Sequence, residues 1–255
     1  MCLILLAHRI HPEYPLVFAA NRDEFYARPT APAGYWDDAP EVLAGRDLQA
    51  GGTWMGITPG GRWAAVTNYR DLASERPGAR SRGELVSQFL RSRDTPEAYL
   101  RQIADRAAEY NGFNLLVADR EQLWYFSNRG GEPRELGPGV YGLSNHLLDT
   151  PWPKVVRGKQ ALSALLEDGA APAPEPLFEI LADADPAPEA ELPETGVGRE
   201  WERALSSLFI ATPTYGTRAS TVLLIDHSGR ATFVERTFSA GSPAPAEISF
   251  QFEIR

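Results

Sequence analysis

Cys2 is the only cysteine in the 255 residues, and it directly follows Met1. A methionine before a residue this small is normally trimmed, and trimming here leaves a thiol and a free α-amine on one residue. A thiol attacks as its thiolate. An α-amine titrating near ~8 can take the thiol proton at neutral pH, which is how an N-terminal nucleophile activates itself. The plainer alternative is a small buried hydrophobe.

Four further groups could serve such a thiol. Asn21-Arg22-Asp23-Glu24 offers a carboxylate to orient an amine and an arginine to bind a carbonyl or an anion; otherwise it is a turn with an exposed ion pair worth ~0–1 kcal/mol. In Gly51-Gly52-Thr53-Trp54 the glycines permit positive φ or close backbone approach. Trp54 there could wall a pocket or sit in the core, and no helix follows to make a phosphate loop. Asn68 and Asn145 stand at expected strand ends, where a side-chain amide could stabilise an oxyanion or simply turn the chain. Arg218, before a strong apolar run, could balance a charged substrate or be structural. The histidines at 8, 11, 146 and 227 have no metal-ligand spacing, so no metal is expected.

The segments that must position these groups follow from hydrophobic pattern. Leu3–His8 and Leu16–Ala20 are apolar on both alternating faces, as in strands covered on both sides. His11-Pro12-Glu13-Tyr14-Pro15 between them is turn chemistry. A hairpin centred between Pro12 and Glu13 sets Cys2 opposite Asp23 (2 + 23 = 25). Further strands are expected at 53–58, 62–68, 114–118, 123–127, 221–226, 231–237 and 248–254. Helices are expected at 82–93, 96–109, 153–167, 176–183 and 198–207. Residues 170–193, rich in Ala, Pro and acidic side chains, read as a solvated surface excursion. Strands, then helices, then strands suggest an α+β chain of antiparallel sheets covered by helices, in one domain over residues 1–255.

Hydrophobic residues make up 43% and charged residues 23%, an ordinary globular composition. A net charge of −9 argues against nucleic acid or an anionic membrane as main partner. The apolar start breaks at His8-Arg9 and has no basic residues before it. It is too short for a signal peptide or a span, so a cytoplasmic protein without stable membrane insertion is expected.

Met1-Cys2-Leu3-Ile4, Asn21-Arg22-Asp23-Glu24, Gly51-Gly52-Thr53-Trp54, Thr67-Asn68-Tyr69-Arg70, Gly142-Leu143-Ser144-Asn145 with Pro151-Trp152-Pro153-Lys154, and Tyr215-Gly216-Thr217-Arg218 together resemble the NRDE family, that of the transport and Golgi organisation 2 protein. The match runs in order to about residue 226. That family is similar to the N-terminal nucleophile hydrolases, which implies a four-layer αββα sandwich of two mainly antiparallel sheets. By analogy with bile-salt hydrolases and penicillin V acylases, the resemblance implies Cys2 as nucleophile, Asp23 holding its α-amine, Asn145 with Asn68 serving the oxyanion, and Arg218 supporting the thiol. Asn21, Arg22 and Trp54 are then expected to touch the ligand. Those acylases carry an arginine where this chain has Ala20, and Arg22 is expected on the other face of its strand. The reaction implied is hydrolysis of a small amide or acyl compound, with no cofactor. The alternative, raised by the family's association with haem trafficking and acyl-coenzyme A metabolism, is a non-catalytic carrier of haem or a lipid-like ligand.

Overall fold

The computed structural model describes residues 2–239 and 244–255; Met1, with its expected removal, lies outside them. In chain order the strands are β1 (Cys2–His8), β2 (Leu16–Phe25), β3 (Thr30–Trp36), β4 (Ala39–Asp47), β5 (Met55–Ile57), β6 (Trp63–Asn68), β7 (Phe113–Ala118), β8 (Leu123–Ser127), β9 (Arg134–Glu135), β10 (Gly139–Leu143), β11 (Tyr215–Ile225), β12 (Arg230–Thr237) and β13 (Ala246–Glu253). The helices are α1 (Gly83–Arg91), α2 (Pro96–Asp105), α3 (Pro153–Leu166), α4 (Pro174–Leu181) and α5 (Arg199–Ala204). No described helix is long and apolar enough to cross a membrane.

The chain divides into two compact units, neither of them continuous in sequence. The first comprises Met1–Ala27, Pro138–Ser144 and Leu148–Glu253; the second comprises Arg28–Gly137, Asn145–Leu147 and Ile254–Arg255. The first is built on an antiparallel sheet ordered β10-β1-β2-β11-β12-β13. One face of that sheet carries Leu3, Leu5, Ala7, Val17, Ala19, Val222 and Leu224, which cluster with Val155, Leu162 and Leu166 of α3 and Leu177, Phe178 and Leu181 of α4. The other face presents Ile4, Leu6, Phe18 and Leu223, buried as well. Both faces of β1 are therefore dry, as the doubly apolar run requires.

The second unit carries the sheet β3-β4-β5-β6-β7-β8-β9, also antiparallel. Val42, Ala64, Val66, Leu115, Val117 and Phe126 pack there on Leu85 and Phe89 of α1 and Leu100 and Ile103 of α2. Thr95 starts α2 by accepting the Ala98 N–H at 3.2 Å, with Pro96 at the first helical position.

One sequence expectation needs correction and a second needs narrowing. The β1–β2 register is one residue short of that expected: Cys2 pairs with Arg22 (2 + 22 = 24) and Leu3 with Asn21. The connection, residues 9–15, has an odd number of residues and centres on Pro12. Arg9 adopts φ 51°, its N–H reaches Pro15 O at 2.9 Å, and His11 Nδ1 accepts the N–H groups of Glu13 and Tyr14. Residues 170–193 are solvated along much of their length, as expected, but are pinned to the core at several points. They contain α4, whose Leu177, Phe178 and Leu181 are core residues, and Ala187 and Leu192 are also buried; between these anchors Glu175, Glu179, Ala184, Pro186, Pro188 and Glu189 are exposed.

Close approach of α3 to the sheet decides where its first turn stands. A Cβ on Gly158 would lie 2.7 Å from Leu5 Cδ2, and one on Gly142 of β10 would lie 2.7 Å from Val155 Cγ1. On an exposed helix, Gly158→Leu would gain about 1 kcal/mol of helix propensity. Here it is expected to lower stability by about 1–3 kcal/mol through overpacking, read from the urea midpoint. A variant at least as stable as the parent would contradict this packing.

Candidate active site around Cys2

Directly opposed residues of an antiparallel pair share a face, so Cys2 and Arg22 point to the same side of the first sheet. Ala20 and Arg22 are two places apart on an unbroken strand and also share that side. Arg22 is therefore on the face of Ala20, not on the opposite one as expected. Asp23 falls one place beyond the Cys2–Arg22 pair, at the end where the Cys2 main-chain nitrogen stands. Its side chain takes the face of Asn21 and Ala19, the helix side. The quartet read as a strand end is in fact strand: β1 pairs with β2 as far as Arg22, and β11 carries β2 on to Phe25.

Cys2 is half-buried as a residue, but its thiol is inside. Loss of hydration pushes the thiol pKa up, and the Asp23 carboxylate adds to this; the Arg22 guanidinium and the main-chain N–H of Asp23, which donates to the sulfur, oppose both. Ser144 Oγ donates to Cys2 O at 3.0 Å and ties β10's end to the nucleophile strand. Arg22, 6% exposed, lies 3.8 Å from Glu24, two residues further along the same strand.

Asp23 is 1% exposed. Burial raises its pKa, while Lys154, the hydrogen bond from Thr217 and Arg22 favour the charged form. Thr217 Oγ1 donates to Asp23 Oδ1 at 2.8 Å, and Tyr215 donates its hydroxyl to Asp23 O at 3.1 Å. Thus thiol and guanidinium share one face of the first unit's sheet, and the Asp23 carboxylate lies on the other face, at the strand end where the Cys2 nitrogen stands.

Not every expected residue belongs here. Asn21, expected to touch the ligand, is committed to the fold: its amide donates to Leu181 O and Leu208 O, both at 2.9 Å, and its Oδ1 accepts Ser220 Oγ at 2.6 Å. Those three bonds use both its protons and tether the end of α4 and residue 208 to β2. Arg218 is the extra residue of a bulge, since β2 pairs Asp23 with Thr217 and Arg22 with Ala219. The bulge re-aims the side chain: Arg218 Nη1 donates to Phe25 O at 3.0 Å and Tyr26 O at 3.1 Å, which ties it to the end of β2.

Trp54, Asn68 and Asn145 belong to the second unit. Gly51 has φ 78°, and a Cβ on Gly52 would meet the Gly83 carbonyl carbon at 2.4 Å, so the paired glycines serve a turn and close passage beside α1. The Trp54 ring occupies the space a Cβ on Gly45 would take. Asn145, fully buried, donates its side-chain amide to Asn68 O at 2.9 Å, and its main-chain carbonyl accepts the Arg70 N–H at 2.7 Å.

Lys154 and Thr217 escaped the choice of site residues. For Lys154 a signal existed: positions 154, 158, 162 and 166 form the buried stripe of α3, and a lysine on an apolar stripe at four-residue spacing is out of place. Thr217, inside a quoted motif, gave none.

A family model for Transport and Golgi organisation 2 matches residues 1–240. The Transport and Golgi organization protein 2 homolog of Bos taurus is 42% identical, covering 98% of this chain and 97% of its own. The homolog of Mus musculus is 40% identical, covering 93% of each. Among solved structures, a mutant conjugated bile acid hydrolase from Clostridium perfringens aligns over 100% of this chain and 97% of its own, with TM-score 0.54 and 10% identity. At that identity the likeness shows the fold alone, and it agrees with the α+β, two-sheet architecture of the N-terminal nucleophile hydrolases.

If Asn21 is structural, Asn21→Ala strands two buried carbonyls and a hydroxyl and is expected to cost about 2–4 kcal/mol without changing the rate at which iodoacetamide labels Cys2. The opposite pattern, intact stability with altered labelling, would return Asn21 to the site.

Proposed function

The chain belongs to the Transport and Golgi organisation 2 family, and we propose that within it this protein is a hydrolase of the amide bond in small acyl compounds, with Cys2 as nucleophile. The observation that carries the reading is the β1–β2 register, which sets the buried Asp23 carboxylate at the strand end where the Cys2 nitrogen stands, with the Asp23 main-chain N–H favouring the Cys2 thiolate. The two-sheet scaffold shared with a conjugated bile acid hydrolase supports it.

With Met1 removed, the Cys2 α-amine takes the thiol proton, and Asp23 holds the resulting ammonium. Sulfur attacks the acyl carbon, the carbon–nitrogen bond breaks, and the ammonium returns the proton to the leaving amine. Water then cleaves the thioester, giving the free acid and restoring the thiol. Arg22, on the thiol's face, supplies positive charge beside the sulfur. While Met1 is attached no such base exists, and burial with Asp23 keeps the thiol protonated.

Two measurements follow on the purified chain. Intact mass is expected to lack Met1, and processed protein should be alkylated at Cys2 faster at pH 7 than protein retaining Met1, whose labelling rises only above the ordinary thiol range. Against a panel of N-acyl amides, Cys2→Ala is expected to lose activity by about a thousand-fold or more with its melting temperature preserved. Turnover undiminished in Cys2→Ala would falsify the assignment. If the wild-type protein turns over none of the panel and instead binds haem saturably, with a Soret shift, a carrier role replaces this reading.

A further inference from the structure

Lys154 stands where a lysine is costliest. It is 1% exposed, in the first turn of α3 and on the stripe that helix turns toward the sheet. An ammonium in the interior is stable only against an opposing charge. Its neighbour Val155 clusters with Leu3, Leu5 and Ala19, so this turn lies over the β1–β2 pair. Asp23 is presented on the same face of β2. Of the charges on described side chains acting on the Asp23 carboxylate, Lys154 is the strongest. The other groups acting on Asp23 are the Thr217 hydroxyl from β11, which donates to it, and, from the other face of the sheet, Arg22 on its own strand and the Cys2 thiol on β1.

We propose that Lys154 is a positioning residue for the nucleophile: its ammonium holds Asp23 as a carboxylate inside the protein and, through Asp23, orients the Cys2 α-nitrogen. The inference rests on the reading of Cys2 as nucleophile. A buried carboxyl without a neighbouring cation takes up a proton, and a neutral acid cannot balance the ammonium formed when the α-amine accepts the thiol proton. The cation has a second effect. A lone carboxylate beside the amine would make it too basic to be free at neutral pH, whereas the Lys154–Asp23 pair has no net charge and leaves the amine close to its ordinary range.

The test compares Met1-free wild-type protein with Lys154→Met and Lys154→Arg, each labelled with 13C-aspartate, the Asp23 resonance being assigned from Asp23→Asn. Two quantities are followed: the pH midpoint of Asp23, and the pH profile of iodoacetamide labelling at Cys2. In Lys154→Met the Asp23 midpoint is expected to rise by about one unit or more and the labelling profile to move with it. Lys154→Arg should return both toward wild type. An unmoved Asp23 midpoint in folded Lys154→Met overturns the proposal. A moved midpoint with an unmoved labelling profile overturns the positioning role and leaves a purely structural ion pair. Should Lys154→Met not fold, 15N-lysine spectra read the pair from its other side: the Lys154 ammonium should lose its proton at lower pH in Asp23→Asn, and an unchanged ammonium refutes the pairing. A wild-type thiol no faster than free cysteine at any pH would defeat the nucleophile reading itself and the positioning role with it, and the Asp23 midpoint would then report on the ion pair alone.

Discussion

The pairing of β1 with β2 is the constraint on which the chemistry at Cys2 depends. Strand side chains alternate, so a slip of one residue exchanges everything on one face for everything on the other. The observed register sets the thiol beside Arg22 and sends the Asp23 carboxylate to the helix side, at the end where the Cys2 nitrogen lies. The register expected from a symmetric turn would have put thiol and carboxylate on one face and left the nitrogen unattended. The register is pinned twice: by an odd-numbered connection with Arg9 at positive φ, and by Leu3, Leu5 and Ala7 having to face α3 and α4.

That strand offsets its buried polar residues with hydrogen bonds and neighbouring charge. A central strand carrying Asn21, Arg22 and Asp23, all buried, would be unstable if their groups were unmet. Asn21 is saturated by two carbonyls and Ser220. Asp23 has Thr217 on one oxygen and the nearby Lys154 charge. The bulge at Arg218 lets one strand serve both Thr217 and Ala219 against consecutive β2 residues. Structural bonding and reactive placement are thus interleaved residue by residue: odd positions answer to the helices, even ones to the thiol's face.

Much of this was legible in the residues, for definite reasons. Apolar runs on both faces announced β1 and the first half of β2, and β8 was delimited as observed because turn residues bound it on both sides. Helical periodicity placed the starts of α2 and α3 at Pro96 and Pro153 as observed, and ran past the observed end of α2 at Asp105. The end of β2 was misjudged because four consecutive polar residues look like a turn when the strand on the other side, 190 residues away in sequence, is invisible. Strands β3 and β4 were missed: Pro32, Gly34 and Pro40 interrupt them, and their register shifts twice, so no alternation survives. Likewise Gly139 and Gly142 hid β10. Lys154 went unweighed because lysine near a helix start is ordinarily solvated, and only the full stripe through Leu166 shows that it is not.

The most direct measurement is the titration of the Cys2 α-nitrogen in Met1-free, 15N-cysteine-labelled protein, with and without the Asp23→Asn change. If the carboxylate holds the α-ammonium, removing its charge lowers the pKa of that nitrogen by about one unit or more. An α-nitrogen that titrates identically in both proteins would mean that Asp23 does not serve the nucleophile, and the proposed chemistry would have no base to begin it.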